Sequence, residues 1–240
     1  MAINIGTAGW TIPREVREEF PAEGSSLERY ASRFPVTEIN SSFHRSHRQQ
    51  TWERWHDSVP AGFRFSVKLP KLITHQHKLV DCPDAVATFL EEIRPLGDKR
   101  AVLLVQLPPK LAFDEGLAGA FFQHLRSASP AAIACEPRHP SWFSPEADAL
   151  LTGHHIMRVA ADPALNAEAA RPGGWRGMSY WRLHGSPAMY RSSYADRIDE
   201  LAQQLAEDAR EDREVWCIFD NTASSAAAQD AIALRAAVRS

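Results

Sequence analysis

Cysteine is scarce in this chain, and what there is of it is not spaced for metal or redox work. Three residues, Cys82, Cys135 and Cys217, contain no CxxC pair and cannot build a disulfide framework. Two of them lie inside apolar runs, where a reduced thiol behaves as a small hydrophobe. No uninterrupted apolar stretch approaches the length of a membrane span, and no basic segment followed by an apolar stretch opens the sequence. These features predict a cytoplasmic protein. Charge of one sign is also lacking. A formal net charge of -3 gives no overall attraction for nucleic acid or membrane, although a local basic rim stays compatible with it. Neither a GxGxxG nor a P-loop follows the first strand-like run, which removes the usual nucleotide signatures. His184, the one imidazole among the candidate strand-end ligands, stands in no HxH or HxxxH spacing that would mark a metal site.

What is present is a recurrence. Eight short apolar runs each end on a polar or charged cluster, starting near residues 3, 36, 63, 102, 132, 156, 179 and 215. The steps vary around the ~30 residues of a βα unit, and 240 residues suit one domain of that kind. Helical patterns fill many of the gaps. Val86, Phe89, Leu90 and Ile93 repeat at helical spacing after Pro83. Ser144-Pro145-Glu146 reads as a helix start, residues 195–212 carry an apolar stripe, and a final helix is predicted from Ser224 to about Arg239. Between the sixth and seventh runs, Arg171-Pro172-Gly173-Gly174 reads as loop. The expectation is an α/β fold: a single (β/α)8 TIM-type barrel over residues 1–240, with an irregular or missing helix between strands 6 and 7. In such a barrel the carboxyl ends of the strands form one site.

The residues at those ends are chemically dense. Glu136-Pro137-Arg138-His139-Pro140-Ser141-Trp142 puts a carboxylate, a guanidinium, an imidazole and an indole within seven positions. Glu136 suits an acid/base or metal ligand, Arg138 an anion clamp and Trp142 a stacking platform. The alternative is that Glu136 pairs with Arg138 or Arg182 only to neutralise charge. Arg182 and His184 stand two apart, so a strand directs both to one side, and Glu38 and Asn40 share that relation. Lys68 ends the third run and could bind phosphate, act as a base, or sit solvated in a loop. Gln106 and Asp220-Asn221-Thr222 complete a polar ring. Trp10, Phe43, Trp142, Tyr190 and Tyr194 are aromatics that could stack on a base or sugar, or pack the barrel edge. A second arrangement would gather Glu38, Glu136, Asp162, His184 and Asp220 around a divalent metal, with only weak support from spacing.

Taken together, IGTAGW at 5–10, EINSSFHR at 38–45, FSVKLPKLITH at 65–75, QLPP at 106–109, EPRHPSW at 136–142, RLHG at 182–185 and FDNT at 219–222 resemble the YecE-like family, the domain of unknown function numbered 72. The resemblance spans nearly the whole chain and implies a TIM-type barrel without importing a reaction. Matching positions make Glu38, Asn40, Lys68, His75, Gln106, Glu136, Arg138, His139, Arg182 and His184 the family-pattern residues. The chain departs from that pattern at His44, where Tyr is usual, at Asp220, where Asn is expected, and at Ala161-Asp162-Pro163, which lacks one acid of a commoner pair. The last two departures weigh against a metal role for Asp162 and Asp220.

The resulting expectation is an enzyme acting on a small anionic, phosphorylated ligand, with phosphoester hydrolysis as the candidate reaction. Glu136, His184 and Lys68 would be catalytic. Glu38, Asn40, His75, Gln106, Arg138, His139, Trp142, Arg182, Tyr190 and Asn221 would bind substrate. A nucleic-acid-binding protein and a metal-dependent hydrolase like the endonuclease-IV barrels are the alternatives, the latter by fold analogy alone. No membrane partner is expected, and the oligomeric state is left open.

Overall fold

A computed structural model describes residues 3–210 and 213–238. The ends of two predicted helices, residues 211–212 and Arg239, lie outside the described residues. Ten strands form one sheet: β1 (Ile3–Ala8), β2 (Val36–Ile39), β3 (Arg64–Lys68), β4 (Arg100–Gln106), β5 (Ala132–Glu136), β6 (Ile156–Arg158), β7 (Ala160–Asp162), β8 (Gly173–Gly174), β9 (Met178–Leu183) and β10 (Glu214–Phe219). Their order is β7-β9-β10-β1-β2-β3-β4-β5-β6-β8. Every pairing is parallel except β6 with β8, so the sheet is mixed.

Consecutive strands lie side by side from β1 to β6, and the sheet curls until its two ends nearly meet. The sixth apolar run, expected as one strand, is broken at Val159. Up to that residue the chain pairs with β5, and the Val159 N–H still donates to the Cys135 carbonyl at 2.9 Å. From Ala160 on it pairs with β9. One short segment therefore serves both ends of the sheet, and the barrel-like wall is nearly closed through it. Between residues 162 and 178 no helix forms, as the Arg-Pro-Gly-Gly stretch predicts. Those glycines do more than turn the chain, because they add the antiparallel β8. Gly174 has φ +62, and a Cβ there would stand 2.5 Å from the Ile156 carbonyl oxygen, so only glycine fits.

Helices α1 (Ser26–Ala31), α2 (Gln49–Asp57), α3 (Pro83–Glu92), α4 (Glu115–Ala128), α5 (Pro145–Gly153), α6 (Ile198–Ala209) and α7 (Ala226–Ala237) run between and after the strands. Their starts are local in origin. Ser25 and Glu28 close a capping box on α1, Asp114 accepts from Leu117 N–H ahead of α4, and Ser144 accepts from Ala147 N–H ahead of α5. The α6 stripe buries Leu201, Leu205 and Ala209. Among the described residues, no helix is long and apolar enough to cross a membrane.

Two apolar clusters result. The larger lies between sheet and helices; the smaller fills the interior of the curled sheet with Val36, Val102, Leu104, Ala134, Met157, Tyr180, Trp216 and Ile218. Side chains on a strand repeat every second residue, so each interior column can be followed upward. Val36 leads to Glu38, Leu104 to Gln106, Ala134 to Glu136, Tyr180 to Arg182 and Ile218 to Asp220. The interior is therefore apolar at its base and turns polar where the strands end.

Candidate active site at the strand ends

Arg182 is the centre of that polar layer. It is fully buried on β9 and reaches three strands at once. Nε and Nη2 donate to Glu38 on β2 at 3.0 and 2.7 Å, Nη1 donates to Glu136 on β5 at 2.5 Å, and Nη2 also donates to Asp220 after β10 at 2.9 Å. A planar guanidinium with five donors can satisfy three carboxylates in this way, which an ammonium cannot. Tyr180, one step down the same column, donates its hydroxyl to Glu38 at 2.8 Å. Gln106 Nε2 donates to Glu136 at 3.1 Å.

The strand ends are pinned by backbone contacts outside the ladder. Leu107 N–H donates to the Glu136 carbonyl at 2.9 Å, Asp220 N–H to the Leu183 carbonyl at 2.8 Å, and Ser42 Oγ to the Lys68 carbonyl at 2.7 Å. Gly185, at φ +93, turns the chain after His184 and donates its N–H to the Tyr194 hydroxyl at 2.9 Å.

His184 is completely buried and lies between two acids. Its Nδ1 is 3.0 Å from Asp220 and its Nε2 is 2.8 Å from Glu136. Arg138 Nη2 approaches the same Glu136 oxygen at 2.5 Å and His184 Nε2 at 3.0 Å. In the singly protonated ring with the proton on Nδ1, Nδ1–H donates to Asp220 and Nε2 accepts from Arg138. In the doubly protonated ring, Nε2–H donates to Glu136 instead. Nε2 thus has a partner whether or not it carries a proton, which is the requirement for a group that takes up and releases one.

Burial opposes ionisation of Glu136, but Arg182, Arg138 and His184 outweigh it and hold the carboxyl well below the usual range. Asp220 is likewise held down, against burial, by Arg182 and His184. Burial and the Glu38 carboxylate push the Tyr180 phenol well up, so it remains a neutral donor. Lys68 moves the other way: burial and the nearby Arg182 lower its ammonium, against the pull of Glu38, Glu136 and Asp220. Its Nζ sits 4.2 Å from the centre of the Phe43 ring, and no hydrogen bond or ion pair engages it among the described residues. Two further polar atoms of the cluster, Asn40 Oδ1 and Arg138 Nε, are buried without a partner. Three carboxylates, Glu38, Glu136 and Asp220, thus share one layer with Arg182, Arg138 and Lys68.

Two carboxyls depressed in the folded state stabilise it above their unfolded values near 4.5 and 3.8, and that contribution is lost as the pH falls through the folded values. The melting temperature should therefore be level from neutral pH to about 5 and fall steeply below about 4. Thermal melts between pH 3 and 7 test this, and a flat profile for the parent would show that the cluster is not under electrostatic tension.

The expected ring is gathered in large part. Glu38, Asn40, Gln106, Glu136, Arg138, Arg182 and His184 form one cluster joined by hydrogen bonds through Asp220, and Lys68 lies within electrostatic reach of it. His75 joins at its margin, edge-on to Phe43 at 4.9 Å and bonded to Thr74 at 2.9 Å. Tyr190 is exposed and stands edge-on to the His184 ring at 5.7 Å. The structure corrects three expectations. Trp142 is no platform: it is buried, donates Nε1–H to the Leu111 carbonyl at 2.9 Å and packs edge-on to Phe113. Asn221 turns away from the ring and donates to the Ser192 carbonyl at 3.0 Å and to Asp230 at 2.7 Å. His139 is spent on Ser141, capping the turn at Pro140–Phe143. Tyr194 is buried as well, its hydroxyl on Asp162 at 2.8 Å.

Asp162 also binds Arg197 at 2.8 Å, apart from the cluster, so the five-residue metal set does not assemble. Among the described residues, no three His, Cys, Asp or Glu side chains are arranged to hold a metal ion. Phe43, expected among the rim aromatics, lies with its ring under Lys68, and Tyr180 is the member that sequence reading missed. The signal for Tyr180 was there, since it precedes Arg182 by two on the same strand face.

Comparison with known proteins is consistent with this picture. The family described as "Protein of unknown function DUF72" matches residues 4–240. UPF0759 protein YecE of Escherichia coli K12 is 32% identical over 177 residues, which cover 71% of this chain and 62% of that protein. UPF0759 protein YunF of Bacillus subtilis is 30% identical over 154 residues, covering 60% and 53%. The matches thus span less than two thirds of these relatives' length. A DUF72 family protein from Enterococcus faecalis V583 superposes with a TM-score of 0.82 at 20% identity, covering 99% of this chain and 96% of that one. One from Thermotoga maritima MSB8 gives 0.80 at 21% identity, with complete coverage of both.

Proposed function

The chain belongs to the DUF72 family, whose function is unknown, and we propose that it is an enzyme acting on an anionic, phosphorylated ligand at the carboxyl ends of its strands. The observation that carries this reading is His184, held between Glu136 and Asp220 with a partner for Nε2 in both protonation states. Asp220 orients the ring, Nε2 takes up and returns the proton, and the Glu136 carboxylate, kept ionised by Arg182 and Arg138, accepts from the ring while Nε2 carries it. In this reading the unengaged Lys68 ammonium and Arg138 Nε–H donate to the phosphate oxygens, and Asn40 Oδ1 accepts from the attacking water. Phosphoester hydrolysis is the reaction class that this mixture suits.

The same reading takes the fold as a (β/α)8 barrel whose sixth strand is broken at Val159. Its support is the parallel order β1 to β6 and the return of β7 to β9. Three buried, unpaired thiols support a reducing, cytoplasmic setting.

Calorimetry with sugar phosphates, nucleotides and short oligonucleotides should show heat with phosphate monoesters. Glu136→Gln should lower turnover of whichever ester binds by at least about 100-fold while the protein stays folded. No heat from any of these compounds would overturn the proposal.

A further inference from the structure

Beside Arg138 the rim opens into a cavity of about 320 Å³ that the polar cluster does not explain. Its walls are apolar: Pro137, Phe143, Val159, Leu165 and Met189 line it, and Arg138 is the one charged side chain on it. It lies against the proton-transfer group, because Arg138 touches both Glu136 and His184. Its volume is at the small end of ligand pockets and suits a single ring system, not a macromolecule.

A second observation converges on the same place. Among the described residues, the exposed large hydrophobic side chains are Leu72, Val80, Leu165, Met189 and Tyr190. The last three gather here, with Leu165 53% and Met189 41% exposed on the cavity wall, and Tyr190 next to Met189 standing over His184. Contiguous exposed apolar surface beside buried charge marks a binding site for a ligand that has both characters.

We infer that this cavity is the subsite for the apolar part of the ligand, so that the substrates are phosphate esters carrying a flat apolar group, with aryl phosphates as the simplest members. This rests on the phosphate-ester reading above and adds its specificity: Lys68 and Arg138 hold the anion, while Phe143, Leu165 and Met189 enclose the ring. An ester without an apolar group would leave that surface in water.

The test is calorimetry on the full chain with phenyl phosphate and methyl phosphate. Phenyl phosphate should bind at least about tenfold more tightly, as expected for burying one ring. Ala164→Trp, at an exposed position on the cavity wall, should erase the preference without changing methyl phosphate affinity. Leu165→Asp provides a second route to the same loss. Lys68→Met should weaken both ligands equally. Equal affinity of the two esters, or a preference that survives both cavity variants, overturns the inference and leaves the phosphate-ester reading standing. If neither ester binds, or Lys68→Met changes nothing, the reading itself falls and the inference with it.

Discussion

Arg182→Ala should destabilise the protein by about 3–5 kcal/mol, the loss expected when one partner is removed from a buried charge cluster. Glu38 and Glu136 are almost wholly shielded from water, and Asp220 is nearly so. Without the guanidinium, Arg138 and His184 still reach Glu136, and His184 still reaches Asp220, but Glu38 keeps only the Tyr180 hydroxyl. Against a typical total of about 5–15 kcal/mol, such a loss is large. It carries a signature in pH. Protonating the stranded carboxyls relieves the variant, so its deficit against the parent should shrink as the pH is lowered toward 4. Urea midpoints at pH 7 and pH 4.5 measure both effects. Arg182→Lys keeps the charge without the fork and should fall between, which keeps the test open if the alanine variant does not fold. Parent-like stability at pH 7 would mean that the cluster contributes nothing net.

Asp230→Ala comes second, at about 2–4 kcal/mol, because one carboxylate on α7 ends three hydrogen bonds. Oδ1 accepts from Ser193 Oγ at 2.6 Å, and Oδ2 accepts from Tyr194 N–H at 3.0 Å and from Asn221 Nδ2 at 2.7 Å. Removing it strands the buried Tyr194 N–H and leaves the Asn221 amide with the Ser192 carbonyl alone. The consequence reaches the site, since these bonds hold the 186–194 segment that carries Met189 and Tyr190. Phosphate-ester affinity should therefore fall together with stability. Asp230→Asn retains one acceptor and should lose less of each. Chemical denaturation and calorimetry on the same samples decide the matter, and unchanged affinity in a destabilised Asp230→Ala would separate the segment from the site.

Much of this was legible beforehand because period-two alternation on a strand is a strict rule. Arg182 with His184, and Glu38 with Asn40, were placed together by spacing alone, and the cluster follows. The alternation runs on through Val159, with Met157 and Val159 inside and Ile156 and Ala160 outside, but the backbone switches partners there, and nothing in Ile156–Asp162 marks that change, because both halves are equally apolar. Trp142 was misplaced for a related reason. An indole six residues beyond a proline-held strand end can face either way, and the Leu111 carbonyl that captures its N–H is 31 residues distant. Asn221 likewise answers to Asp230, on a helix whose approach sequence spacing does not encode. Pairwise contacts between far segments are the part that local pattern leaves out.

The break at Val159 makes the wall a hoop with a clasp. Elsewhere each parallel ladder joins two separate strands, but here one continuous run divides its hold into two three-residue grips, one on β5 and one on β9. Val159 and Ala161 of that clasp also form a wall of the apolar cavity. Whatever occupies the cavity beside Arg138 therefore rests directly on the segment that closes the wall.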